Sequence, residues 1–141
     1  MEADRIIEKL GLMPHPEGGH YRETWAAPGA DGRPSGTSIL FLLREGEASH
    51  WHRIDATEIW HFHAGAPLIL ETAASVAGPA TAITLGPEVL AGHAPHGIVP
   101  PMVWQAARTT GQWTLVGCTV SPGFRFEGFE LAPAGLKIPA G

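Results

Sequence analysis

The chain breaks into short apolar runs separated by glycines and prolines, and it sustains a helical repeat in only one place. Eight segments read as strands, enriched in β-branched, aliphatic and aromatic residues and bounded by turn formers. They are His20–Trp25, Thr37–Leu43, Ser49–Arg53, Glu58–His63, Leu68–Ala73, Ala80–Leu85, Val103–Ala107 and Trp113–Val120. The helical repeat runs from Ala3 to Leu10, with Ile6, Ile7 and Leu10 on one face and Gly11 as its stop. The turn Pro14–Gly19 follows, and Ala26–Gly36 and Ala91–His96 read as loops. From Ala132 onward the pattern predicts an irregular surface segment. Many short strands and one small helix predict an all-β jelly roll closed on itself, which also removes exposed strand edges. A parallel α/β sheet is disfavoured because helical patterns do not alternate with the strands.

Composition narrows this picture. A length of 141 residues suits one domain spanning 1–141, large enough to bury a core without staples. The net charge is −5 and the only lysines are Lys9 and Lys137, so no basic patch points to nucleic acid or an anionic membrane surface. Cys118 stands alone in an apolar run, which rules out an internal disulfide and predicts a small buried hydrophobe in a reducing compartment. No run approaches the roughly 18–20 apolar residues of a membrane span. The charged N-terminus lacks the apolar core of a signal peptide, so a cytoplasmic location is expected.

The segment from Gly46 to Gly65 carries the richest chemistry. Side chains alternate along a strand, so His50, His52 and Ile54 are expected on one face, with Glu58 following closely. If Glu58 faces inward, Trp60 and Phe62 do too, and His61 and His63 face outward. His93 and His96 fall in a loop near the expected barrel mouth. His15 is expected to play a structural part at the N-terminal turn.

These residues resemble the cupins, and more narrowly the DUF985 family of RmlC-like cupins. The resemblance rests on His15-Pro16-Glu17-Gly18-Gly19 with Tyr21-Arg22-Glu23, Thr37–Leu43, Trp51-His52-Arg53 with Glu58–His61, Val99-Pro100 with Trp104–Ala107, and Val116–Phe124. It implies a cupin double-stranded β-helix, to which the short N-terminal helix read above is added, usually a homodimer, with a pocket at the barrel centre. The first cupin motif places a glycine, five residues, a histidine, one residue, a second histidine, three or four residues, a glutamate, six residues and a glycine. Pairing His50 with His52 leaves five residues before Glu58, one too many. Starting from Gly46 satisfies every spacing with His52, Glu58 and Gly65, but puts Ile54 at the second histidine. In the second motif Gln105 stands at the histidine. Two of the four ligands implied by the family therefore remain, and a barrel with no metal or cofactor is expected.

The interior expected from this reading holds His52, Glu58, Gln105, Trp60 and Trp104, with Tyr21, Arg22 and His50 as neighbours. Aromatic walls with a few convergent polar groups suit a small-molecule site. A histidine beside a carboxylate suits a general base. Arg22 and Arg53 could neutralise an anionic group on the ligand. The expected ligand is a carbohydrate or nucleotide-sugar-like molecule. By analogy with RmlC-like epimerases, a metal-independent epimerase or isomerase would use His52 as base and Tyr21 as acid. Two alternatives stay open: a metal-dependent oxygenase or isomerase using His50, His52 and Glu58, and a barrel that binds without turnover.

Overall fold

In the computed structural model, which describes residues 2–141, two antiparallel sheets face each other. The strands are β1 (Met13–Pro14), β2 (His20–Ala27), β3 (Gly36–Arg44), β4 (Ala48–Ile54), β5 (Thr57–Gly65), β6 (Leu68–Ala73), β7 (Thr81–Leu85), β8 (His96–Val99), β9 (Trp104–Thr109), β10 (Trp113–Ser121) and β11 (Phe129–Leu131). The first sheet runs β1-β2-β3-β10-β5-β8, and the second runs β11-β4-β9-β6-β7. All eight expected strands are present. The three unforeseen ones are short, and β8 starts at His96, where the segment that reads as loop ends.

Period-two alternation sorts each strand between the barrel interior and an outer face. Phe41, Leu43, Trp60, Leu70, Val116 and Cys118 meet in the central core, where Cys118 is the buried small residue that the sequence predicts. The helix α1 (Glu2–Leu10) lies outside the first sheet, packing Ala3, Ile6 and Ile7 over Leu42 and Leu115. The second sheet is covered by the C-terminal segment. Ala132 and Ile138 are buried against Trp51 and Trp104, and Ala80 pairs with Ala140. This corrects the expected surface tail: it is irregular, but its apolar residues close a second core. No helix of the described residues is long and apolar enough to cross a membrane.

Candidate active site

One end of the barrel interior remains open as a cavity of about 230 Å³. Tyr21 and Glu23 reach it from β2, Thr37 and Ile39 from β3, His52 and Ile54 from β4, Glu58 from β5 and Val120 from β10. His15 and Glu17 enter from the turn before β2, and Phe124, Phe126 and Phe129 form the remaining wall. His15, Glu17, His52 and Glu58 are buried, whereas Glu23 and Phe126 are exposed and mark the rim.

A bulge in β4 decides which histidine faces inward. Ser49 pairs with Ala107 and His52 with Gln105, so two residues of β4 oppose one residue of β9. Ser49 and His52 therefore both point into the barrel, while His50 turns away and its Nε2 lies 2.9 Å from Pro133 O. Simple alternation placed His50 beside His52, and the extra residue overturns that. The turn docks onto the bulge: the His50 amide donates to Glu17 O at 2.7 Å, and Ser49 Oγ donates to Glu17 Oε2. Gly18 and Gly19 have φ of 108° and 80°, and a Cβ on Gly18 would collide with Ala48 O. Only glycine lets this turn lie against β4.

Hydrogen bonds assign the imidazole protons. His52 Nδ1 lies 2.8 Å from His50 O, so it carries the proton and leaves the Nε2 lone pair free. That Nε2 stands 3.6 Å from Glu17 Oε2, beyond hydrogen-bond distance. His15 Nδ1 accepts the Glu17 amide at 3.1 Å, so its proton sits on Nε2. Its 3.3 Å approach to Glu17 Oε1 is accordingly a contact of neutral groups rather than an ion pair. Burial, with His52 beside it, lowers the His15 pKa to about 4, and burial also lowers that of His52. Burial pushes Glu17 up to about 8, against the opposing hydrogen bond from Ser49. Burial, reinforced by Glu17, pushes Glu58 up to about 7. The floor of the cavity thus sets a free imidazole lone pair among carboxyls that keep their protons near neutral pH.

Of the site residues expected from sequence, the structure brings His52, Glu58 and Tyr21 into the cavity lining. Gln105 and Trp60 sit behind it. The Trp60 indole donates to Gln105 Oε1 at 2.7 Å, and Gln105 Nε2 donates to Glu58 Oε1 at 2.9 Å, so they position Glu58 rather than face a ligand. Three expected neighbours lie elsewhere. Arg22 is exposed and donates to Leu10 O, because it alternates with the inward Tyr21. Trp104 alternates with the inward Gln105 and lies in the outer core of the second sheet, with the Arg53 guanidinium 4.7 Å above its ring. His50 is turned out by the bulge. The anion-binding role expected of Arg22 and Arg53 has no support from these positions. His61 is on the outer face as expected, with Nε2 3.1 Å from Thr119 Oγ1, and His93 holds its own loop by accepting the Glu88 amide.

Glu17, Ser49 and the phenylalanine wall went unassigned by sequence reading. Glu17 sits in a turn and meets Ser49 32 residues away, so no local periodicity reveals the pair. The one available signal was the Glu17-Gly18-Gly19 step, where two consecutive glycines mark close backbone approach.

The family model of the cupin superfamily group DUF985 matches residues 4–132. The chain belongs to the DUF985 cupins. A crystal structure of a protein from Shewanella oneidensis is 42% identical to this cupin, with a TM-score of 0.86 over 92% of this chain and 84% of that one. A hypothetical protein from Leishmania major is 29% identical, with a TM-score of 0.83 over 95% and 89% of the two chains. Oxalate decarboxylase from Bacillus subtilis shares the fold at 12% identity and a TM-score of 0.63, over 84% of this chain and 29% of that one. No functionally curated protein is similar enough in sequence to match.

The donor set of this cupin does not fit the metal that the cupin motifs imply. Ile54 lines the cavity at the second histidine position, and Gln105 is committed to Trp60 and Glu58. His15 presents an N–H instead of a lone pair, which leaves His52 as the one available imidazole among these groups. Among the described residues no three His, Cys, Asp or Glu side chains are arranged to hold a metal ion.

Proposed function

We propose that the barrel binds a small carbonyl compound in this cavity and isomerises it by proton transfer, without a metal. The single observation that carries this reading is the free His52 Nε2 lone pair, buried and held in place by the His50 carbonyl, beside carboxyls kept protonated by burial. A base needs an available lone pair, and an acid needs a pKa near the working pH. His52 Nε2 takes a proton from the carbon next to the carbonyl, and the developing charge on the carbonyl oxygen is met by a protonated carboxyl. Tyr21, the one tyrosine of the chain, supplies the proton that reforms the carbon–hydrogen bond on the other face. One carbon–hydrogen bond breaks and one forms, nothing is oxidised, and solvent takes the proton held by His52 and returns the one given by Tyr21. Carbohydrate-like carbonyl compounds without a phosphate fit best, because neither Arg22 nor Arg53 lines the cavity.

The test is proton NMR in deuterium oxide with a panel of ketoses and aldoses. Deuterium is expected to enter beside the carbonyl of at least one compound, and His52→Gln is expected to slow it about 100-fold or more. Exchange that His52→Gln leaves unchanged, or exchange in no compound, would defeat this reading. Saturable binding without exchange would leave a barrel that binds without turnover.

A further inference from the structure

The cavity has a charge character that narrows its ligand further. Every acidic or basic side chain lining it, apart from the two imidazoles and Tyr21, is a glutamate: Glu17, Glu23 and Glu58. No lysine or arginine lines it. The arginines that flank lining residues in sequence are spent elsewhere, Arg22 on Leu10 O, Arg53 on Glu130 and Arg125 on Asp55. The His52 side chain is 2% exposed, and its Nε2 faces this space without a hydrogen-bond partner. The floor therefore offers an acceptor, His52 Nε2, that nothing in the chain fills.

The wall has a matching character. Phe124, Phe126 and Phe129 form a mutual edge-to-face trio, with centroids 4.9, 5.9 and 6.1 Å apart, and Phe129 stacks on His52 at 5.5 Å. Aromatic faces carry negative electrostatic potential and attract desolvated cations. An ammonium group has three donors and no acceptor, which complements an imidazole lone pair and carboxylates. A phosphate or carboxylate would meet the negative faces of the same rings and would find no guanidinium or ammonium to neutralise it.

We infer that the ligand of this cavity is a small organic amine, bound as its ammonium ion between the glutamates and the phenylalanine wall, and that anionic compounds are excluded. This rests on the cavity being the ligand site, as proposed above. One ammonium offsets one carboxylate. Because Glu17 raises the resistance of Glu58 to ionising, the second carboxyl keeps its proton and remains an acid. The titratable groups facing the bound cation are His15, Glu17, Tyr21, Glu23, His52 and Glu58, with Cys118 behind Glu58. Entry of a cation ionises a buried carboxyl and releases its proton, so affinity rises with pH until Glu17 is ionised at about 8.

Calorimetric titration of the intact chain with 2-phenylethylamine, 2-phenylethanol and 2-phenylethyl phosphate separates charge from shape. At pH 8 the amine is expected to bind about tenfold or more tightly than the alcohol, the magnitude of one charge-assisted hydrogen bond, and the phosphate is expected not to saturate. The amine should weaken at pH 6, and Glu17→Gln should reduce its preference over the alcohol to about threefold or less. Glu23→Gln, at the exposed rim, leaves the core untouched and should weaken the amine and not the alcohol. Phosphate binding as tight as the amine, or no saturation by the amine, overturns the inference. Amine binding without deuterium exchange would sustain it while sinking the isomerase. Anion binding with His52-dependent exchange would do the reverse.

Discussion

A buried carboxyl changes how the folded chain responds to pH, and Glu17 gives this protein a distinctive profile. Its pKa rises from the ordinary 4.5 to about 8, and that of Glu58 to about 7. Between 4.5 and those values the folded chain holds protons that the unfolded chain releases, so rising pH favours unfolding. His15 acts in the opposite direction, since its pKa falls from 6.5 to about 4, and His52 is lowered too. Between those limits the unfolded chain takes up protons that the folded one refuses, and rising pH favours folding. From 4.5 to 6.5 the two effects oppose each other, and above 6.5 the carboxyls act alone. Stability is expected to peak between about pH 5 and 6 and to fall between pH 6.5 and 8 by about 5 °C in Tm. Thermal melts at the two pH values test this, and Glu17→Gln should flatten the slope. A wild-type Tm that stays level or rises over that interval would mean that Glu17 is already ionised when folded. Residue identity alone did not reveal this role, since a glutamate in a turn is ordinarily solvated. What changes its chemistry is burial by β4, a contact between distant parts of the chain.

Elements carry most of what the hydrophobic pattern can specify, and their irregularities carry most of what it cannot. Strands β3, β6 and β10 follow alternation closely, and β5 does so as far as Phe62, before an extra residue at His63, so Phe41, Trp60, Leu70 and Val116 were legible as inward residues. Glu58 was legible for the same reason, and counting the cupin spacing picked His52 over His50. Strand β4 breaks the rule with one extra residue, and that residue removes His50 from the cavity. Bulges leave no reliable mark in a single sequence, because the inserted residue can be of any type. The bulge and the Pro14–Gly19 turn form one unit, joined through the His50 amide and the Glu17 carbonyl. Gly18 is the hinge pin of that unit. A Gly18→Ala substitution must either strain the positive φ or push the turn off Ala48. It is expected to lower stability by roughly 1–3 kcal/mol in urea titration. Carbon-13 titration of the Glu17 carboxyl should show its pKa returning toward 4.5 as the side chain regains water. An unchanged Glu17 titration would mean that Ser49 alone holds the carboxyl, without the turn.

At the scale of the molecule, the barrel separates a polar end from two apolar covers, and each can be perturbed alone. The interior holds the cavity at one end and the Phe41–Trp60–Leu70 core behind it. Helix α1 closes the outer face of the first sheet, and the C-terminal segment closes that of the second. The jelly roll was legible because punctuated short strands leave few alternatives. The second cover was not, because a segment of Pro, Gly and isolated apolar residues has no period from which burial can be read. Ile138 is 7% exposed and packs in the cluster with Trp51, Trp104 and Ala106, on the side of the second sheet away from His52. Truncating it leaves a void that the short segment can partly close, so Ile138→Ala is expected to lower stability by roughly 2–3 kcal/mol, toward the small end for such changes. Urea titration should show the midpoint falling with its slope unchanged. Because Trp51 and His52 point to opposite faces of β4, 2-phenylethylamine affinity should hold within about twofold, the scatter expected of independent sites. A parallel loss of binding would show that the outer cover and the cavity are coupled through β4, and that the bulge transmits packing from one face of the sheet to the other.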